Sequence, residues 1–112
     1  MTHISPTASA ASVFRIDQFV VPAQALPQFS QAVQRIHHTL ASQPGCRQSL
    51  VLTRSADPGQ VRLLTLVEWA SASDMAAAKA VVQRQYSEEG FDPPAFMREL
   101  GVQADLGVYS PA

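Results

Sequence analysis

The stretch that decides the fold is "RLLTLVEWAS", residues 62–71. Side chains alternate across a strand, so Leu63, Thr65, Val67 and Trp69 share one face and Leu64, Leu66 and Glu68 the other. An antiparallel strand with one wet side should show one apolar face and one polar face. This one is apolar on both, and it ends in the single tryptophan of the chain. Each face therefore needs a cover, and Trp69 needs something to look into.

Outward from this strand, the pattern completes a small α+β domain. Upstream, "CRQSLVLTR" (46–54) alternates weakly, and "SADPG" (55–59) has the turn chemistry of a hairpin loop, so the two strands pair antiparallel. Further upstream, "VFRIDQFVV" (13–21) reads as another strand. It sets Phe14, Ile16 and Val20 with Gln18 on one face, and Val13, Arg15, Asp17 and Phe19 on the other. Pro22 ends it, because a proline cannot donate to the ladder. A helix from about Gln24 to Ser42 follows, with Pro27 in the first turn, where a missing N–H costs little. Leu26, Phe29, Val33, Ile36 and Leu40 form its apolar stripe, and "QPG" (43–45) stops it.

Downstream, "SASD" (71–74) opens a second helix, with Ser71 or Ser73 as N-cap and Asp74 near the positive end of the dipole. It runs through an alanine-rich segment toward Tyr86. "SEEGFDPP" (87–94) reads as a loop, "AFMREL" (95–100) as a short third helix and "VQADLGVY" (102–109) as the last strand. The order β-α-β-β-α-α-β predicts the ferredoxin-like split β-α-β plan, a four-stranded antiparallel sheet with its helices on one face. The face carrying Phe14, Ile16, Leu64 and Leu66 is then left bare. Two such sheets stacked about a two-fold axis would bury it, which predicts a homodimer.

At 112 residues the chain fits one domain with its own core; residues 1–12 read as a flexible N-terminal tail and 13–112 as the folded unit. Charged residues are only 15% against 46% hydrophobic, consistent with surface reserved for another subunit. The net charge is −1 and the arginines are scattered singly, so no phosphate-tracking stripe exists and nucleic acid is not expected as a partner. A lone cysteine, Cys46, suits a reducing cytoplasm and is either a small buried hydrophobe or a reactive thiol. "MTHISPTASAAS" has neither a basic start nor a long apolar run, so no signal peptide, membrane anchor or membrane contact is expected.

Five segments carry a family resemblance. They are "FVVP" (19–22), the helix bearing Phe29, Val33 and "IHHTL" (36–40), "QPGC" (43–46), "LVEWASASDMAAA" (66–78) and "DLGVY" (105–109). Together, over about residues 13–109, they resemble the antibiotic biosynthesis monooxygenase domain. The resemblance implies a dimeric α+β barrel, with a small cavity in each protomer between sheet and helices. It also implies oxidation of aromatic polyketides or quinols by O₂ with no metal, flavin or other cofactor. A related branch degrades haem, but it needs a histidine on the second helix. This chain offers Lys79 in that region and no histidine after residue 38, so haem degradation is not expected.

Within that resemblance Trp69 matches a strand-end tryptophan that lines the cavity and stacks on or bonds to the substrate; otherwise it is an aromatic plug. Asp17 falls where a pocket-facing polar residue is expected and would take a phenolic proton if burial raised its pKa. Alternatively it pairs with Arg15, two residues away on the same face. His37 and His38 are adjacent, so on a helix they point about 100° apart and cannot share one metal ion. His37 lies beside the apolar stripe and is the third catalytic candidate, or else a core-edge histidine with a satisfied N–H. Arg15, Phe19, Tyr86, Phe91 and Met97 are the expected substrate-binding residues. Arg15 would pair with an oxyanion, and Tyr86, Phe91, Phe96 and Met97 would form a mobile apolar lid or simply pack the third helix. No metal triad, phosphate-cradling glycine loop or nucleophile elbow is present. A non-catalytic dimeric binding protein, or an isomerase or lyase on the same barrel, stays open beside the oxygenase.

Overall fold

A computed structural model of the protein describes residues 11–112. Most of the expected 1–12 tail lies outside the described residues. Ser12, at its end, is buried, and its Oγ–H donates to Glu68 Oε2 at 3.4 Å.

The chain forms β1 (Val13–Pro22), a 3₁₀ turn (Ala23–Ala25), α1 (Leu26–Ala41), β2 (Cys46–Ser55), β3 (Gln60–Trp69), α2 (Ala72–Glu89), α3 (Pro93–Leu100) and β4 (Gln103–Tyr109). The strands make one antiparallel sheet in the order β2-β3-β1-β4. This is the ferredoxin-like α+β fold. Among the described residues no helix is long and apolar enough to cross a membrane.

Local chemistry sets the element ends. Pro27 sits in the first turn of α1. Ser71 caps α2, its Oγ accepting from the Asp74 N–H at 3.1 Å. The α2 helix runs three residues past Tyr86, ending at Glu89, because Gly90 supplies a left-handed cap at φ 65°. The loop expected over 87–94 therefore shrinks to Gly90–Asp92, and Tyr86 belongs to the helix. Asp92 then caps α3 two residues earlier than the apolar run implies, its Oδ1 accepting from the Ala95 N–H at 3.2 Å. Gly45 adopts φ 84°, and a side chain there would collide with the Asp74 carboxylate. Its carbonyl accepts from the Ala70 N–H at 2.8 Å, which ties the end of α1 to the point where β3 turns into α2. That stitch fixes the position of Trp69.

The helices cover the face of Phe19, Val21, Leu63, Val67 and Trp69. Phe19, Val21, Ala25, Phe29 and Leu63 form one core cluster, with Phe96, Met97 and Leu100 of α3 packed on it. Val67, Trp69 and Ala78 form a second, joined by Cys46 and Met75. Cys46 is half-buried there, and burial pushes its thiol pKa up. That favours a small packing group over a reactive thiolate. On the opposite face Leu50, Leu52 and Tyr109 are exposed, beside half-buried Phe14, Ile16, Leu64 and Leu66.

Candidate functional site

Between the covered sheet face and the helices lies a cavity of about 560 Å³. Its floor comes from alternate residues of the two central strands, Arg15, Asp17 and Phe19 of β1 and Thr65, Val67 and Trp69 of β3. The antiparallel register sets Asp17 opposite Thr65 and Arg15 opposite Val67, so polar groups meet in the middle of an apolar floor. Overhead, α1 contributes Val33, Ile36, His37 and Leu40, and α2 contributes Met75, Lys79, Val82 and Tyr86. Leu106 and Val108 of β4 make a lip that the helices do not reach; they are 52% and 54% exposed.

The eight residues singled out in the sequence, Arg15, Asp17, Phe19, His37, Trp69, Tyr86, Phe91 and Met97, all line this one cavity. Their roles are a separate matter from their placement. Asp17 makes the ion pair with Arg15, Nε to Oδ1 at 2.7 Å, and the same oxygen accepts from the Gly107 N–H at 3.4 Å. His37 lines the cavity while His38 is exposed. The Nδ1 atom of His37 lies 2.9 Å from Ser49 Oγ. Burial holds the His37 pKa below its usual 6.5, partly opposed by the charge on Asp17, so the ring is neutral at pH 7. Burial likewise pushes the Tyr86 phenol up, with Arg35 pulling it the other way, so Tyr86 presents a neutral hydroxyl. Trp69 is only 2% exposed, and among the described residues its indole N–H makes no hydrogen bond.

One end of the cavity is closed by rings. Phe19 and Phe29 meet edge to face at 5.1 Å, Phe29 stacks on Phe96 at 6.3 Å, and Phe96 meets Phe91 at 5.1 Å. Phe91 in turn lies 5.5 Å from Tyr86. Arg35 of α1 sits over the Phe91 ring at 5.4 Å and pairs with Glu89 at 3.1 Å, tying the α2–α3 corner to α1.

Thr65, Gln83, Leu106 and Val108 line the cavity without having been singled out. Thr65 was within reach, because it shares the Trp69 face of the opening strand. The β4 pair was legible only as alternation in "DLGVY", which does not say where the helices stop. Among the described residues no three His, Cys, Asp or Glu side chains gather as a metal-binding set.

No protein-family model matches the chain, and no curated protein matches it in sequence. Solved structures do match in shape. SnoaB, a cofactor-independent oxygenase from Streptomyces nogalater, superposes with a TM-score of 0.65 at 23% identity, over 92% of this chain and 95% of its own. A provisionally named antibiotic biosynthesis monooxygenase from Nitrosomonas europaea gives 0.66 at 16% identity, over 92% of each chain. A dimeric ferredoxin-like protein from an uncultured marine organism gives 0.68 at 10% identity, over 91% of this chain and 96% of its own. Nearly the whole chain thus has the ferredoxin-like fold seen in structures that carry the antibiotic biosynthesis monooxygenase name, as the sequence resemblance implies.

Proposed function

We propose that the protein is a monooxygenase of the antibiotic-biosynthesis type, oxidising a small phenolic, quinol or polyketide-like aromatic compound with O₂. The observation that carries this reading is the cavity beside Trp69. Its volume of about 560 Å³ suits a ligand of a few fused rings, and its apolar walls converge on a few polar groups. The fold shared with an oxygenase named as cofactor-independent supports it.

The chemistry asks little of the protein, because a deprotonated electron-rich ring can itself reduce O₂. The phenolate gives one electron to O₂, and the resulting ring radical combines with superoxide to form a C–O bond. The hydroperoxide then loses water as its O–O bond breaks, and the carbon gives up its hydrogen. The net change is phenol plus O₂ to quinone plus water. Trp69 stacks on the ring or offers its in-plane indole N–H to a substrate oxygen. Neutral His37 or the Oδ2 atom of Asp17 takes the phenolic proton, and Arg15 and the Tyr86 hydroxyl stabilise the oxyanion. Oxygen uptake over a panel of naphthoquinols, anthrols and catechols tests the reading. Trp69→Phe and Asp17→Asn should each slow uptake by about tenfold or more. Undiminished uptake in both variants would put the chemistry elsewhere.

The Arg15–Asp17 pair favours one rival: a carboxylate already satisfied by a guanidinium suits a protein that only binds an aromatic ligand. Trp69 fluorescence quenching by the same compounds, with no oxygen consumed, would select that reading.

The protein is further read as a cytoplasmic homodimer, the sheet face of Phe14, Ile16, Leu64 and Leu66 meeting its twin. Support comes from the exposed Leu50, Leu52 and Tyr109 that extend this face, and from the single cysteine.

A further inference from the structure

We propose that Ser49 is a positioning residue for His37: its hydroxyl holds the Nδ1 edge of the ring against β2, so that Nε2 is the atom offered to the cavity. The inference rests on the cavity being the reaction site.

Ser49 sits on β2 opposite Val67, on the face that α1 crosses. Its Oγ is 2.9 Å from His37 Nδ1. His37 lines the cavity and Ser49 does not. With Nδ1 taken up by Ser49 on the β2 side, Nε2 is the ring nitrogen left for a ligand in the cavity. Val33 and Leu40, one turn to either side of His37 on α1, line the cavity too and confine the ring.

A hydroxyl can donate or accept, so the bond survives in either neutral tautomer. The two tautomers have opposite consequences. If Ser49 donates to Nδ1, the proton of the neutral ring is on Nε2, and the cavity meets a donor that cannot accept. If Nδ1–H donates to Ser49 Oγ, Nε2 presents a lone pair and can take a phenolic proton. Only the second arrangement lasts through the reaction, since Nδ1–H goes on donating to Oγ after Nε2 is protonated. The working form is accordingly the Nδ1–H tautomer, with Ser49 as acceptor. Of the charged and titratable groups facing the same space, Asp17 stabilises the imidazolium, Arg15 and Lys79 oppose it, and Tyr86 is neutral.

The test begins with the ligand-free full-length protein, labelled with ¹⁵N at histidine. Long-range ¹H–¹⁵N spectra at pH 8 report which ring nitrogen carries the proton, and a His37→Gln sample assigns the signal. The wild type should show Nδ1–H, Ser49→Ala should shift His37 toward the Nε2–H form, and Ser49→Thr should restore the first pattern. With an oxidised substrate in hand, Ser49→Ala should lower kcat about tenfold, part of what a positioned acid–base group supplies, with KM changed less than about twofold. Ser49→Thr should recover the rate. An Nε2–H ring in the wild type overturns the proposal even if Ser49→Ala fails to fold. A Ser49→Ala ring with an unchanged tautomer overturns it as well. If no compound consumes oxygen, the functional reading fails while the spectra still decide the role of Ser49.

Discussion

Along β3 the odd-numbered residues Leu63, Thr65, Val67 and Trp69 are all buried, while Leu64 and Leu66 on the opposite side of the same strand are only half-buried. Both faces of the sheet are apolar, but they are finished differently. On one, α1 brings down Phe29 and Ile36, α2 brings down Ala78 and Val82, and α3 packs Phe96, Met97 and Leu100 on the core, with a cavity left between them and the strands. On the other, Leu52 and Tyr109 remain half in water, at 51% and 50% exposure. Glu68 is the exception there. It is 1% exposed and accepts a hydrogen bond from Ser12, so a residue that looks like the polar relief of that face is in fact buried. The lesson is that composition gives a face its need for cover, and tertiary packing decides whether the chain meets that need itself.

Breaking the covered face should have the largest effect on stability. Leu63→Ala removes a fully buried side chain from the main cluster and should cost about 3 kcal/mol in urea unfolding. Leu52→Ala, on the half-wet side, should cost under about 1 kcal/mol in a subunit kept monomeric by dilution. Equal losses at the two positions would erase the distinction between the faces.

The bare face is tested by association. Leu66→Asp places a charge in the middle of the expected interface and should turn a dimeric mass in light scattering into a monomeric one, with the far-ultraviolet spectrum unchanged. Wild-type protein that already runs as a monomer at micromolar concentration would remove the homodimer.

Ser71→Ala sharpens the comparison at the start of α2, the helix that roofs the cavity. Losing the bond to the Asp74 N–H should cost about 1 kcal/mol, read as a lower urea midpoint. The smallest expected effect is a pH slope. His37 has a folded pKa below 6.5, so the unfolded chain binds its proton first as the solution is acidified. Its contribution to stability is complete above 6.5 and declines as the pH falls through that value toward the folded pKa. His37→Gln should flatten the urea midpoint between pH 8 and pH 5; an unaltered slope would mean the ring is not desolvated.

Much of the fold was legible because it rests on local rules. Alternation located the strands, the 3.6-residue stripe located α1, and Ser71, Pro27 and Gly45 punctuated them. The misread segment, 87–94, shows the limit: "SEEG" looks like a loop by composition, yet Gly90 caps a helix that reaches Glu89. Among the site residues, Arg15, Asp17 and Phe19 were legible as one strand face. The Asp17–Arg15 pair was legible as well, as the alternative to a catalytic Asp17, because the two side chains sit two residues apart on that face. That His37 would find its partner in Ser49 was not, because a bond between a helix and a strand has no signature in residue type or spacing alone.

The sequence by itself determined that a four-stranded sheet with two apolar faces would form, since strand periodicity and turn chemistry act over a few residues. Only the tertiary structure decided how far short of β4 the roof stops and which nitrogen of His37 is held. Those outcomes depend on distances between segments far apart in the chain, and they are set by how helices of fixed length settle on a twisted sheet.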